Sequence, residues 1–289
     1  MADLEPGGYD PAFLTIPLAL PAVPAEVAVA TLPFTHFTVL LQPDRRLAVV
    51  TGANLDGAQL VEVDRGDDWH LGPRVPAEAQ AGPEVYADND LDRGHLTRRR
   101  DPVWGDPATA AQANLDTFGY VNAAPQAALF NHGELLWAGL EDYVLEHART
   151  YGARLSVFTA PVFGPDDPPY RGIAIPRRFW KIAAWTSDES AGEALEATGY
   201  VLDQSPQLDL LDLSDDPTAE RSTPPLGTYL TYQVPILDIA TLTGLDLGPL
   251  VAADRLPAPA PVSADDLGAG SVEIDRRWIR LLHVSDVRL

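Results

Sequence analysis

Apolar and polar residues alternate in several short runs along the chain, and the first clear pair flanks a turn. Over residues 37–51 (FTVLLQPDRRLAVVT) two alternating stretches surround Pro43-Asp44-Arg45, a pattern that predicts a β-hairpin. Strands are also expected over residues 154–161, 173–185 and 198–204, where β-branched and aromatic side chains are dense. Residues 277–289 (RWIRLLHVSDVRL) close the chain with the same alternation. A different period appears over residues 133–147 (GELLWAGLEDYVLEH). Leu136, Leu140, Tyr143, Val144 and His147 recur there at helical spacing, which leaves one face apolar and places Glu134, Glu141 and Asp142 elsewhere. Residues 107–114 (PATAAQAN) read as a short helix after Trp104-Gly105. Residues 117–122 (TFGYVN) alternate like a short strand, and Ala123-Ala124-Pro125-Gln126 reads as a breaker before the longer helix. These elements predict an α+β fold, a mostly antiparallel sheet with helices on its faces.

With 289 residues and 46% hydrophobic content the chain can bury a large core, and no internal linker forces a split. Residues 1–33 are Pro-rich and poorly periodic, and are expected to lie extended over the body or against a partner subunit. Residues 34–289 would form the domain. Residues 67–81, 208–225 and 257–267 are loop-like, and His70 in the first of these reads as a surface residue. There is no cysteine, which excludes disulfides and thiolate metal sites. The apolar run over residues 13–29 is interrupted by Pro17, Pro21 and Pro24, contains Glu26 and lacks a basic flank. Neither a signal peptide nor a membrane span is expected. A cytoplasmic location is the default, with secretion by another route left open.

The chemistry concentrates between Tyr86 and Glu141. Asp92-Arg93-Gly94-His95 combines a titratable base, a phosphate-sized cation and a residue that permits a sharp turn, a set suited to phosphodiester chemistry. Asn131 precedes the predicted longer helix, where it can cap the helix or turn its amide oxygen outward. A strand, a loop and a helix in this order would bring His95 and Asn131 into one cleft. Oxygen ligands of this kind suit Mg²⁺, which keeps several waters and takes few protein ligands. Mn²⁺ is its natural substitute.

DRGHLTRRRDPVWG followed by TFGYVNAAPQAALFNHGELLWAGLE resembles the DNA/RNA non-specific endonucleases, whose active site is a ββα-metal finger. The family pattern of DRGH, N-x-x-PQ, a second asparagine nine residues on and W-x-x-LE is met by His95 with its three predecessors, Asn122 with Pro125-Gln126, Asn131, and Trp137 with Leu140-Glu141. LSVFTAPVFG, IPRRFWK and YQVPILDIATLTGL look like later strands and turns of the same family, so the resemblance covers most of residues 37–247. It implies that His95 is the general base, Arg93 holds the phosphate, Asn122 orients the site and Asn131 holds the metal. Glu141 would hold metal-bound waters. The step from Asn131 to Glu141 is longer than the family pattern, and Glu134, one turn after Asn131, is the rival. Trp137 reads as core, and His132 as the first substitute to test for a ligand. The implied activity is sequence-independent hydrolysis of DNA and RNA to 5′-phosphorylated fragments, by a chain that leaves room for a homodimer.

Charge runs against this reading. Asp and Glu number 42 against 20 basic residues, a formal charge of −22, whereas phosphate binding usually leaves a basic footprint. The basic residues cluster, however: Arg98, Arg99 and Arg100 beside the motif are expected to contact substrate, and Arg171, Arg177, Arg178 and Lys181 follow later. An acidic body with a basic cleft is one reading, and solvated arginines are the other. Two other classes of function stand beside the enzyme: a partner-controlled effector or toxin nuclease, and a degenerate relative that binds nucleic acid without cutting.

Overall fold

The computed structural model describes residues 7–127, 137–189, 192–211, 213, 230–256, 278–281, 286 and 287. Its strands are β1 (Ala30–Phe34), β2 (Phe37–Gln42), β3 (Leu47–Asp56), β4 (Leu91–His95), β5 (Ala123–Ala127), β6 (Arg154–Val162), β7 (Pro169–Tyr170), β8 (Ile173–Ala174), β9 (Arg178–Glu189), β10 (Gly192–Asp203), β11 (Leu230–Val234) and β12 (Ile279–Leu281). Eight of them form one antiparallel sheet in the order β1-β2-β3-β6-β9-β10-β11-β12, while β4-β5 and β7-β8 are separate hairpin-like pairs. The helices are α1 (Pro83–Tyr86), α2 (Pro107–Thr117), α3 (Trp137–Tyr151), α4 (Ser205–Leu208) and α5 (Ile236–Thr243).

Alternation along the central strands sorts side chains onto two buried faces. Leu155 and Val157 of β6 and Phe179 and Ala183 of β9 face the β4-β5 pair, and pack with Leu91, Leu96, Val121 and Ala124 and with Val144, Leu145 and Ala148 of α3. Phe158, Ala160, Trp180 and Ile182 take the opposite face, which Tyr9, Phe13, Leu14 and Leu18 cover together with Ile236 and Ile239 of α5. Each fully buried apolar side chain contributes roughly 1.5–3 kcal/mol before the entropy of ordering is subtracted. Both faces are therefore needed, and the sheet is a middle layer.

The predicted hairpin over residues 37–51 is present as β2-β3, with a register shift between Leu40 and Leu41. Its second strand runs on to Asp56 because all ten residues of β3 are buried. The stretch expected as one strand over residues 173–185 is broken at Pro176, so β8 and β9 are separate. Residues 117–122 are not a strand. They end α2 and form a single 3₁₀ turn, Tyr120–Asn122, and the Ala-Ala-Pro-Gln segment read as a breaker is itself β5. Proline is tolerated there because only one edge of β5 pairs with a strand. The α2 helix is capped by Asp106, whose Oδ1 accepts from the backbone N–H of Ala108 and of Thr109. At the other end of the chain Gly244, in a left-handed conformation, stops α5 and its N–H donates to the Ala240 carbonyl.

The helix expected over residues 133–147 is described from Trp137 and continues to Tyr151. Its buried stripe is Val144, Leu145 and Ala148, while Tyr143 and His147 lie on a half-buried flank in ring contact with each other and, through His147, with Tyr151. Residues 133–136, including Glu134, fall outside the described residues, as do residues 214–229 and 257–277 of the two acidic loops. Among the described residues no helix is long and apolar enough to cross a membrane.

Candidate active site

The β4-β5 pair builds the site. In register, Asp92 faces Gln126, Arg93 faces Pro125, Gly94 faces Ala124 and His95 faces Ala123. Gly94 makes room for Gln126: a Cβ there would sit 2.0 Å from Cδ of that buried side chain, which would have to shift. Arg93 and His95 occupy alternate positions on one short strand and so project from the same face. That common face is observed directly, since the indole of Trp69 touches both. Its ring centroid lies 4.7 Å from that of His95 and 5.2 Å from the Arg93 guanidinium carbon.

Asn122, fully buried, ties the end of β4 to the turn after α2. Its Oδ1 accepts from the Thr97 N–H at 2.9 Å, and its Nδ2 donates to the carbonyls of Thr97 (2.9 Å) and Thr117 (3.0 Å). The backbone adds a Leu96 N–H to Asn122 carbonyl bond of 2.9 Å. The whole amide is used inside the protein, so Asn122 fixes where His95 stands and leaves the substrate to others. A comparable clamp was not legible in the sequence. Gln204, with no exposed surface, accepts from Ala127 N–H at 2.9 Å and donates to the carbonyls of Pro125 (3.2 Å) and Pro176 (2.6 Å). It satisfies the edge of β5 that no strand covers and anchors the pair to the sheet.

His95 is half-buried as a residue, but its Nε2 is sealed from solvent and has no hydrogen-bond partner among the described residues. Trp69 and Phe118 pack on the ring, the latter edge-on at 5.2 Å. Burial first, and the charges of Arg65, Arg99 and Arg93 second, push its pKa down to about 3. The imidazole is therefore neutral near pH 7, the form a proton acceptor needs.

Glu141, which the helical pattern sets off the apolar face, lies on the sheet-facing side of α3. Its Oε1 pairs with Nζ of the buried Lys181 at 2.7 Å, and its Oε2 lies 3.6 Å from Nε of Arg98. Arg98 also bonds Asp142. Asp101 is buried beside this group, and burial pushes its pKa up to about 6 against the pull of Lys181 and Arg98. Arg99 donates to the Val63 carbonyl and to Asn114, and Arg100 pairs with Glu62 at 2.6 Å. All three arginines beside the motif thus have internal partners, and substrate contacts through any of them would compete with these. Arg93 is held more loosely, 3.8 Å from the exposed Asp67.

Asn131, Glu134 and His132 lie outside the described residues, as does the side chain of Trp137. Among the described residues no group of three or more His, Asp or Glu side chains is placed to hold a metal ion. Among the described residues, Glu141 offers carboxylate oxygens that are already in ion pairs with Lys181 and Arg98, and oxygen donors of this kind suit a hard cation such as Mg²⁺. Residues 67–81 were legible only as a polar loop, yet Trp69 in it is the nearest aromatic partner of the candidate base. A lone tryptophan in an otherwise polar stretch was the available signal. His70 is exposed, as expected.

The family model for DNA/RNA non-specific endonucleases matches residues 17–254. An uncharacterized protein of Sinorhizobium fredii (strain NBRC 101917 / NGR234), y4fB, is 37% identical over 275 residues, covering 88% of this chain. The match spans 40% of that relative's length. Among solved structures, a chain from the crystal structure of the EndoG/EndoGI complex superposes with a TM-score of 0.52 at 17% identity. That match covers 74% of this chain and 84% of the other, and shows a shared fold. The DRGH strand, its asparagine-locked end and the family model's span over both lead to one conclusion: this chain belongs to the DNA/RNA non-specific endonuclease family.

Proposed function

We propose that the chain is a metal-dependent endonuclease that hydrolyses phosphodiester bonds in DNA and RNA without sequence preference, leaving 5′-phosphorylated fragments. The observation that carries this reading is the common face of β4, where a guanidinium and a neutral, unpartnered imidazole nitrogen project side by side. Arg93 holds a phosphate oxygen, giving up its loose contact with Asp67. The His95 imidazole accepts a proton from the attacking water as the new P–O bond forms and the bond to the 3′-oxygen breaks. Asn122 keeps the imidazole in place through the Thr97 backbone. Asn131 would hold Mg²⁺, or Mn²⁺ in its stead, with Glu141 or Glu134 holding its waters. When bound, the ion supplies positive charge that offsets the charge on the departing oxygen.

The direct ligand should matter more than a residue that acts through water. Glu141→Gln is expected to raise the Mg²⁺ concentration for half-maximal activity by about 10–100-fold, and Asn131→Ala by more. Initial rates of plasmid cleavage titrated against Mg²⁺ check this, with Glu134→Gln as the third arm to decide which glutamate takes part. An unchanged metal requirement in Asn131→Ala removes that residue from the site.

A further inference from the structure

We propose that Trp69 contacts substrate by stacking on a nucleobase next to the scissile phosphate, so that affinity is gained without reading sequence. The inference rests on the phosphodiester reading above and adds the surface that takes the base.

Three observations converge on it. Trp69 is held in place although it belongs to a loop: the His70 N–H donates to the Phe118 carbonyl at 3.1 Å, and the Tyr120 N–H donates to the His70 carbonyl at 2.9 Å. The loop is thereby tied to the turn that also ends in Asn122. The indole is only half-buried, with Phe118 edge-on at 5.5 Å and Tyr120 at 5.8 Å, so part of it stays open to solvent. Finally, Trp69 spans both functional groups of β4. The Arg93 guanidinium lies over its ring and His95 packs against it. A polynucleotide that lays a phosphate against Arg93 and His95 carries its neighbouring base past this ring.

The chemistry suits the substrate class. Every base has a π face, so stacking on an aromatic side chain is tolerant of sequence, whereas hydrogen bonds to base edges would discriminate. The Arg93 guanidinium carbon lies 5.2 Å from the indole centroid, so the ring already takes a flat, delocalised cation beside the place where the phosphate would sit. Asp67, 74% exposed and 3.8 Å from Arg93, is an anion that an arriving phosphate can displace. A purely structural tryptophan would instead pack on His95 and have no effect that depends on the bases.

The test compares wild type, Trp69→Phe and Trp69→Leu on two single-stranded oligonucleotides, oligo(dT) and the same backbone with abasic tetrahydrofuran units on both sides of one cleavable bond. Wild type should cleave the base-bearing strand with a KM lower by roughly tenfold, since stacking is worth ~1–3 kcal/mol per base. Trp69→Leu should raise KM on oligo(dT) to the abasic value with kcat within about twofold, Trp69→Phe should keep most of the preference, and on the abasic strand all three should agree. Equal losses on both strands, a fall confined to kcat, or a gain in rate on removing the ring would overturn the proposal. Should Trp69→Leu fail to fold, the wild-type preference for bases and its retention in Trp69→Phe decide the matter. Wild type that cleaves neither strand refutes the nuclease reading itself, a result distinct from failure of the stacking role.

Discussion

His95→Ala lowers kcat on DNA by about a thousandfold at saturating Mg²⁺ while the protein stays folded. A positioned general base contributes roughly 10²–10⁴-fold, and Trp69 touches both the His95 imidazole and the Arg93 guanidinium. Folding should survive because the substitution removes a buried nitrogen that has no hydrogen-bond partner, a group that costs stability. The lost packing against Trp69 and Phe118 works the other way. Circular dichroism and a melting curve separate inactivity from unfolding. A second readout follows from the depressed pKa. The folded-state value of about 3 lies below the ordinary 6.5, so His95 is neutral above it and takes up its proton only as pH falls through that lower value. Imidazole resonances assigned to His95 by their absence from His95→Ala should therefore stay constant from pH 8 to 5 in the free protein. A titration midpoint near 6.5 would show that the ring is not sealed as described.

Lys181→Met should cost about 3–5 kcal/mol of stability, the range for stripping one partner from a buried ion pair. Lys181 is 1% exposed and its Nζ lies 2.7 Å from Glu141, whose side chain is 13% exposed. Without it the carboxylate keeps the longer 3.6 Å contact with Arg98. Buried Asp101, whose pKa Lys181 helps to hold down, rises further. For a chain of this size the loss corresponds to a melting temperature lower by roughly 10 °C. Removing the opposing charge as well, in Lys181→Met with Glu141→Gln, should recover much of the loss, since no unpaired buried charge remains. Differential scanning calorimetry of wild type, the two single variants and the double variant reads this. A single variant that melts with wild type, or a double variant worse than the sum of the singles, contradicts the buried pair.

The sequence showed the parts whose pattern is local. The β2-β3 hairpin, the helix ending at Tyr151 and the strands at β6 and β9 follow from apolar alternation and period, and the DRGH strand from its motif. Where the reading failed, tertiary contacts had overruled local signals. Ala123-Ala124-Pro125-Gln126 looks like a breaker because proline removes a donor, but β4 pairs one edge and Gln204 satisfies the other. The helical period set Glu141 off the apolar face, and nothing local announces its partner, a lysine 40 residues away on β9. The lone lysine of a chain with nineteen arginines sits in that buried pair. Arg98, Arg99 and Arg100 read as a basic run, and only the fold reveals Glu141, Asp142, Asn114 and Glu62 as their partners. Trp69 stood out only as a lone tryptophan in a polar loop, because its closeness to His95 comes from the pairing of His70 with Gly119.

The central claim, that this face of β4 performs metal-dependent phosphodiester hydrolysis, is tested most directly by incubating purified wild type and His95→Ala with supercoiled plasmid and with single-stranded RNA, each in Mg²⁺ and in EDTA. The account predicts that wild type degrades both polymers in Mg²⁺ and neither in EDTA, and that His95→Ala degrades neither at a comparable rate. Folded wild type that leaves both polymers intact in Mg²⁺, or cleavage that survives both EDTA and loss of His95, would contradict it.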